Sequence, residues 1–339
     1  MTNISIISGC NNNCSYCFQK DSYHNLNRMI DYDEFLNLLD WSVGSPRIAI
    51  LGGEPTLHPQ CVEICQASSE KYPTVIFTNL LCKGEMLEKL LNINRLSWLV
   101  NTTSREELKS LFYENMHIIE KHKSIKDFSF GITLTGDLKT DIEYIENLTD
   151  IGTKFPESVQ RYRVAFASPC HEEKYRMKNY DKSIEAFYDI TYKKTPYIDI
   201  GFDCSINSCY VSDKYLLRIA KDRRTADWRT VCAPIVFDVM ADRSVKYCCA
   251  CPDEMFNIPD YRIFNTRNEC YHVLIEIMRE FINKYGLFYC KQTKTCTNKT
   301  CQGACFAVLA NLAKEEEKKS QFIQKCNEIR YKVMKKLGY

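Results

Sequence analysis

The chain has 339 residues, a formal net charge of +2, 45% hydrophobic residues and 26% charged residues. This length allows one large domain or two of moderate size, and the near-neutral charge provides no basic stripe for nucleic acid. No apolar run approaches the roughly 18 residues of a membrane span, and the N-terminal residues lack a secretory signal pattern. We therefore expect a cytoplasmic protein without membrane or nucleic-acid partners.

Predicted strands and helices alternate along the first two thirds of the chain. The predicted strands are residues 3–8, 47–51, 74–78, 97–101, 127–135 and 162–167. The predicted helices are one that begins at Asp31, with Glu34 as the second half of a capping box, and residues 84–91, 104–122, 139–151 and 183–193. Six βα units imply parallel strands joined by crossover helices. The predicted fold class is α/β, an open, partial (β/α)6 TIM-like barrel with its active site at the carboxyl ends of the strands.

The remainder of the chain has a different pattern. It contains a possible strand at 197–202, a helix at 211–221, a charged run at 221–224 that we interpret as a solvated connector, a hairpin at 235–248 and a helix at 307–337. Cysteines are dense between Cys232 and Cys305. We predict a core domain over residues 1–200 and a smaller cysteine-rich domain over residues 201–339.

Nineteen cysteines are unusual for a protein expected in a reducing compartment. Disulfides do not persist there, so this number favours metal or redox chemistry. The first three, Cys10, Cys14 and Cys17, form a C-x3-C-x2-C run after the first predicted strand. Three thiolates can hold three irons of a cubane cluster and leave the fourth iron open, because no fourth cysteine is near. A structural zinc loop is the alternative.

This run, with Tyr16 before the last cysteine, resembles the signature of the radical S-adenosylmethionine (SAM) superfamily. The resemblance implies that a [4Fe–4S] cluster binds SAM at its open iron and releases a 5′-deoxyadenosyl radical, which abstracts a hydrogen atom from the substrate. It also places Tyr16 near the adenine, with local packing as the alternative role. The turn Gly52-Gly53-Glu54-Pro55 matches the family's second motif, which implies contacts from its backbone and its glutamate to the SAM amino group. We expect the glycines to allow close approach of the backbone to this ligand.

Other polar residues at strand ends are candidate SAM contacts. Thr78-Asn79 partly matches a Thr-Asn-Gly motif of the family, with Leu80 in place of the glycine. Asn101 and Thr133 end the next two predicted strands. By the resemblance they contact the SAM carboxylate or ribose, and simple capping of strand ends is the alternative.

The C-terminal cysteines resemble the SPASM extension of radical SAM maturases, which carries auxiliary [4Fe–4S] clusters. The spacing departs from that pattern, and the hairpin has Asp242-Arg243-Ser244 where a glycine is usual. By the ligation pattern of the family, one cluster would take Cys232, Cys248 and Cys305, and its fourth iron would either take Cys249 or Cys251 or stay open to substrate. A second cluster would take Cys290, Cys296, Cys301 and Cys326. A single auxiliary cluster and a four-cysteine zinc site are the alternatives.

These features predict a radical SAM enzyme that modifies a peptide or protein. An enzyme that acts on a small metabolite is the second hypothesis, and a non-catalytic zinc-binding module is the third. An electron donor such as flavodoxin or ferredoxin is expected as a partner. The sequence assigns no catalytic acid or base.

Overall fold

The structure is a computed structural model that describes residues 1–14, 16–17, 28–102, 110–122, 127–167, 179–203, 206, 211–227, 237–248, 251, 258–285 and 318–339. Its strands are β1 (Thr2–Ser5), β2 (Ile48–Leu51), β3 (Thr74–Thr78), β4 (Leu96–Asn101), β5 (Phe128–Leu134), β6 (Arg161–Phe166), β7 (Asp199–Phe202), β8 (Thr225–Asp227), β9 (Phe237–Val239) and β10 (Val245–Lys246). Its helices are α1 (Tyr32–Trp41), α2 (Cys61–Lys71), α3 (Gly84–Leu91), α4 (Ser110–Lys121), α5 (Leu138–Lys154), α6 (Asp181–Lys194), α7 (Asp213–Lys221), α8 (Arg267–Tyr285) and α9 (Lys319–Leu337).

All ten described strands belong to one open sheet, in the order β10-β9-β1-β2-β3-β4-β5-β6-β7-β8. Strands β1 to β8 are parallel, as the alternation of strands and helices predicts. The sheet is consistent with a partial barrel rather than a closed one, which confirms the predicted fold class. Because parallel strands share one orientation, their carboxyl ends lie along a single edge of the sheet.

The predicted hairpin extends this sheet. Strand β9 pairs in parallel with β1, and β10 returns antiparallel to β9. Asn3 on β1 donates a hydrogen bond from Nδ2 to Asp238 Oδ1 on β9 at 2.6 Å, across 235 positions of sequence. The division into domains at residue 200 remains a prediction, since the described strands on both sides of it share one sheet.

The two faces of the sheet have different surroundings. One face packs against the helices in a large apolar core that includes Ile50, Ile76 and Val100. The opposite face holds a separate small cluster of Ala49, Val75 and Leu99. Among the described residues, no helical residue belongs to this second cluster, and we call this side of the sheet the helix-free face; in a partial barrel it corresponds to the concave interior. Within the described chain, no helix is both long and apolar enough to cross a lipid bilayer.

The structure corrects three local expectations. Asp31 caps α1 by its position only, because its side chain makes no capping hydrogen bond. The Glu34 carboxylate accepts a hydrogen bond from the Tyr261 hydroxyl at 2.8 Å and lies 3.3 Å from Arg243 Nε. The run 221–224 is not fully solvated, since Arg224 forms a half-buried ion pair with Asp222. Residues 104–109 and 307–317 of two predicted helices lie outside the described residues.

Candidate active site

The loop that contains Cys10, Cys14 and Cys17, here called the cysteine loop, follows β1 and is hydrogen-bonded to the turn that follows β2. The backbone N–H of Gly53 donates to the carbonyl oxygen of Ile7 at 2.8 Å, and that of Glu54 donates to Gly9 at 2.8 Å. These two bonds continue the pairing of β1 and β2 beyond the strand ends. The Gly52–Pro55 turn and the cysteine loop therefore form one backbone unit at the carboxyl edge of the sheet.

The two glycines of the turn are required by this contact. A Cβ atom on Gly52 would lie 2.6 Å from the carbonyl oxygen of Ile7, and one on Gly53 would lie 2.1 Å from that of Gly9. Backbone atoms cannot move aside as the end of a flexible side chain can. The close approach in the structure is to the end of β1 and the start of the cysteine loop, and the predicted approach of the glycines to SAM stays a prediction.

The Glu54 carboxylate is buried and bonded within the chain. Oε1 accepts hydrogen bonds from Thr56 N, Thr56 Oγ1 and Thr78 Oγ1 at 3.2, 2.6 and 2.7 Å, and Oε2 accepts one from Asn79 N at 2.7 Å. Burial raises the pKa of this carboxyl group, and the four hydrogen bonds oppose that rise. The side chain joins the turn after β2 to the carboxyl end of β3, and its predicted contact with the SAM amino group stays a prediction.

The end of β3 is also joined to the cysteine loop. Asn79 Nδ2 donates to Asn11 Oδ1 at 2.7 Å. Leu80, the residue in place of the family's glycine, has a φ of 60°, in the left-handed region that glycine adopts most easily. In this partial motif, the leucine therefore adopts a backbone conformation that is typical of glycine.

All three cysteines of the loop are free thiols of intermediate exposure, and the surroundings of Cys10 have two opposing effects on its thiol. Burial raises the pKa of the Cys10 thiol, while hydrogen bonds from the backbone amides of Asn12 and Asn11 to this thiol lower it, and the charges of Glu54 and Cys17 add to the rise. Such amide hydrogen bonds to cysteine sulfur are one means by which proteins tune iron–sulfur clusters. Among the described residues, no three His, Cys, Asp or Glu side chains converge on a single metal-ion position. A cubane instead takes each cysteine on a different iron.

Tyr16 closes the cysteine loop against β4 and α5. Its hydroxyl donates to the carbonyl oxygen of Thr102 at 3.4 Å, and its ring meets that of Tyr144 edge to face, with centroids 6.1 Å apart. The local packing considered in the sequence analysis is thus present. A contact with adenine stays a prediction.

Asn101 lies on the helix-free face of the sheet. A Cβ on its neighbour Gly131 would lie 3.2 Å from Asn101 Oδ1 and 3.4 Å from Leu99 Cδ2, and Leu99 belongs to the cluster on that face. Thr133 shares this face, since it is two residues beyond Gly131 on β5. Both predicted residues are therefore at the concave carboxyl end of the sheet.

A charged pair on the same face was missed by the sequence analysis. Arg163 on β6 donates from Nε to Asp203 Oδ1 at 2.7 Å, and from Nη2 to the carbonyl oxygen of Phe202 at 2.9 Å. Gly201 leaves space for the guanidinium, because a Cβ there would lie 2.3 Å from Arg163 Nη1. The alternation of Arg161 and Arg163 with apolar residues in β6 was the available signal.

The described cysteines among the predicted C-terminal cluster ligands lie in two places. Cys251 N donates to the carbonyl oxygen of Cys248 at 2.9 Å, which forms a tight turn after β10. Because β10 runs antiparallel to the other strands, it leads toward the amino edge of the sheet, opposite the cysteine loop. Cys326 is buried on α9. The other predicted ligands lie outside the described residues, namely Cys232, Cys290, Cys296, Cys301 and Cys305.

The N-terminal part of the chain matches a protein-family model. The model of the radical SAM superfamily matches residues 4–146, which is less than half of the chain. The matched segment contains the cysteine loop, the Gly52–Pro55 turn and the end of β3, the three segments that the hydrogen bonds above join.

One curated relative is GTP 3′,8-cyclase 1 of Mycobacterium tuberculosis, which is 28% identical over 127 residues. That match covers 34% of this chain and 35% of the relative. The chain thus matches only a minor part of the relative's length.

Solved structures share the fold of this chain. Streptococcus suis SuiB bound to S-adenosylmethionine superposes with a TM-score of 0.51 and 17% identity, over 74% of this chain and 60% of SuiB. The enzyme anSMEcpe with bound AdoMet and the Cp18Cys peptide superposes with a TM-score of 0.58 and 16% identity, over 99% of this chain and 97% of anSMEcpe. At these identities the likeness is one of fold.

Proposed function

We propose that the chain is a radical SAM enzyme that cleaves SAM reductively and abstracts a hydrogen atom from its substrate. The observation that carries the proposal is the backbone joining of the Gly52–Pro55 turn to the cysteine loop, through Gly53 N to Ile7 O and Glu54 N to Gly9 O. This contact brings the two motifs of the radical SAM resemblance to one position at the carboxyl edge of the sheet.

The residues present fit the cofactors. Cys10, Cys14 and Cys17 would hold the cluster, because they lie in the loop that the Gly52–Pro55 turn joins through Glu54 N and Gly9 O. When bound, the reduced cluster and SAM supply the cleavage of the sulfonium and the radical that removes hydrogen from the substrate. The chain positions these groups: the turn at Gly52–Pro55 would bind the SAM amino group, and further contacts would come from Tyr16, Thr78, Asn79, Asn101 and Thr133.

We infer a peptide or protein as the substrate class. Two fold neighbours have peptide complexes: SuiB was solved with the precursor peptide SuiA, and anSMEcpe with the Cp18Cys peptide. The Arg163–Asp203 pair on the helix-free face is partly exposed, so this charged pair would offer a donor and an acceptor to the amide groups of a peptide.

The second candidate is a small-molecule substrate. The sequence match to GTP 3′,8-cyclase 1, whose name refers to a nucleotide substrate, favours it. Binding measurements with GTP and with unrelated peptides would separate the two candidates, and saturable tight binding of GTP would favour the small molecule.

We also propose that the C-terminal cysteines bind one or two auxiliary [4Fe–4S] clusters. Cys248 and Cys251 in one tight turn support the participation of the hairpin. A site there would lie at the amino edge of the sheet. Such a position suits electron transfer with an external donor such as flavodoxin or ferredoxin better than contact with a substrate on the opposite edge.

Anaerobic reconstitution tests the function. Iron and sulfide would be counted, and 5′-deoxyadenosine would be measured after addition of SAM and dithionite. At four irons per cubane, we expect about eight or about twelve irons per chain. The variant with Cys10→Ala, Cys14→Ala and Cys17→Ala together should lose about four irons and all SAM cleavage. Bound zinc without iron, or cleavage that survives in this variant, would contradict the proposal.

A further inference from the structure

The segment 79–82 after β3, here called the β3 clamp, binds the side-chain amide of Asn11 in the cysteine loop through both its oxygen and its nitrogen. Asn79 Nδ2 donates to Asn11 Oδ1 at 2.7 Å, and Asn11 Nδ2 donates to the carbonyl oxygen of Leu81 at 3.1 Å. The amide group of Asn11 is thereby fixed in position and orientation. Asn11 directly follows Cys10 in the chain, so the position of the Asn11 side chain constrains the backbone beside that cysteine.

The β3 clamp has a conformation that leucine alone does not favour. Leu80 is fully buried and has a φ of 60°, where the Cβ of an L-residue crowds the following carbonyl group. Internal hydrogen bonds support this turn: Leu80 N donates to Thr78 Oγ1 at 2.9 Å, and Leu81 N donates to Asn79 Oδ1 at 2.9 Å. A strained conformation persists only where its surroundings enforce it.

Asn115 on α4 stabilises this strained turn through hydrogen bonds to the backbone of the β3 clamp. Its side chain is fully buried, and Nδ2 donates to the carbonyl oxygens of Leu80 and Cys82 at 2.9 and 2.8 Å. Both neighbours are acceptors, so the amide must present its NH2 group to them. Its Oδ1 has no hydrogen-bond partner among the described residues. A buried acceptor without a partner is costly, and its retention calls for an explanation.

We propose that Asn115 and Asn11 are positioning residues for the cysteine loop: Asn115 holds the β3 clamp in its left-handed turn, and the clamp orients Asn11 beside Cys10. This inference rests on the proposed function, because it concerns the loop that would hold the radical-generating cluster. The chain of contacts runs from helix α4 through backbone carbonyls to a side-chain amide. Residues that orient metal ligands in this way typically change metal affinity by about 10- to 100-fold when replaced.

The experiment compares cluster retention in wild type and three variants. Wild type, Asn11→Ala and Asn115→Ala are reconstituted anaerobically, and the loss of iron to a chelator and the SAM-dependent change in the EPR signal of the reduced protein are recorded. Both variants should lose about four irons roughly 10- to 100-fold faster than wild type and show a weakened SAM-dependent EPR change. Asn115→Asp, which keeps the size but lacks the NH2 group, should behave as Asn115→Ala.

Two controls separate positioning from general stability. Asn13→Ala changes an exposed asparagine of the same loop. Ser68→Ala removes a buried hydrogen bond of 2.7 Å to Thr74 at the opposite end of β3. Both should keep wild-type iron retention, although Ser68→Ala lowers the melting temperature.

The outcomes are distinct. Wild-type retention and EPR response in Asn11→Ala would overturn the inference and leave the proposed function intact, and so would equal iron loss in Ser68→Ala. A wild-type chain that takes up no iron would overturn both. If Asn115→Ala fails to fold, Asn11→Ala still decides the result, because Asn11 is in a partly exposed loop.

Discussion

Gly53 lies so close to Gly9 that a Cβ on Gly53 would stand 2.1 Å from the Gly9 carbonyl oxygen. The contact is one-sided, because a Cβ on Gly9 would meet no heavy atom within 4 Å. The turn after β2 therefore requires glycine at position 53 to contact the cysteine loop, whereas a larger residue at position 9 would fit. This difference provides a matched pair of substitutions.

Gly53→Ala should destabilise the protein or displace the cysteine loop, because the new methyl group would overlap backbone atoms of Ser8 and Gly9 after the neighbouring strand β1. Overpacking of this kind costs about 1–3 kcal/mol. Urea denaturation of the apoprotein measures the loss, and iron uptake measures the displacement. Gly9→Ala is the control and should stay within about 0.5 kcal/mol of wild type. Equal effects of the two substitutions would contradict the assigned contact.

Glu54→Gln should destabilise the joint between β2 and β3. Glu54 accepts hydrogen bonds on both oxygens, whereas the amide of glutamine has one acceptor, so either the Asn79 N–H or the threonine donors lose their partner. An unsatisfied buried donor costs about 1–3 kcal/mol, and urea denaturation would measure it. Glu63→Gln, on the exposed side of α2, should change little. Stability unchanged in Glu54→Gln would show that these hydrogen bonds contribute nothing.

Asp203→Asn should destabilise the helix-free face near β6 and β7. Arg163 loses a charged partner at 2.7 Å and keeps its hydrogen bond to the Phe202 carbonyl oxygen. A half-buried, charge-assisted bond of this kind contributes about 1.5–3 kcal/mol, measured by urea denaturation. Asp199→Asn changes an exposed carboxylate on the same strand and should stay within about 0.5 kcal/mol. The prediction is wrong if both variants match wild type.

The Asp222–Arg224 pair should stabilise the fold in a pH-dependent way. Burial raises the pKa of Asp222, but hydrogen bonds and charge from Arg224 outweigh it and leave the pKa below the ordinary value. Because the pKa of Asp222 is lowered in the folded state, the pair stabilises the fold at pH values above the ordinary pKa of about 3.9. This stabilisation is lost as the pH falls through the lowered pKa of the folded state. The melting temperatures of wild type and Asp222→Asn should therefore differ at neutral pH and converge in strong acid. A difference independent of pH would refute this account.

Much of the parallel sheet was predictable because its signals are local. The apolar run at Thr74–Thr78 and the helix at Gly84–Leu91 appear with their predicted bounds. By contrast, helix α8 was not predicted, although Cys270, Val273, Leu274, Ile277 and Phe281 have helical spacing and are all buried. The apolar period of this helix was therefore present in the sequence.

The sequence by itself determined the alternation of strands and helices and the spacing of the cysteines, because both depend on neighbouring residues. Only the tertiary structure decided that β9 lies beside β1 and that Arg163 meets Asp203. It also decided that Gly53 receives the cysteine loop and that Asn11 is held by the β3 clamp. These contacts join residues distant in sequence, and their geometry follows from the packing of the whole sheet. No local pattern contains that information.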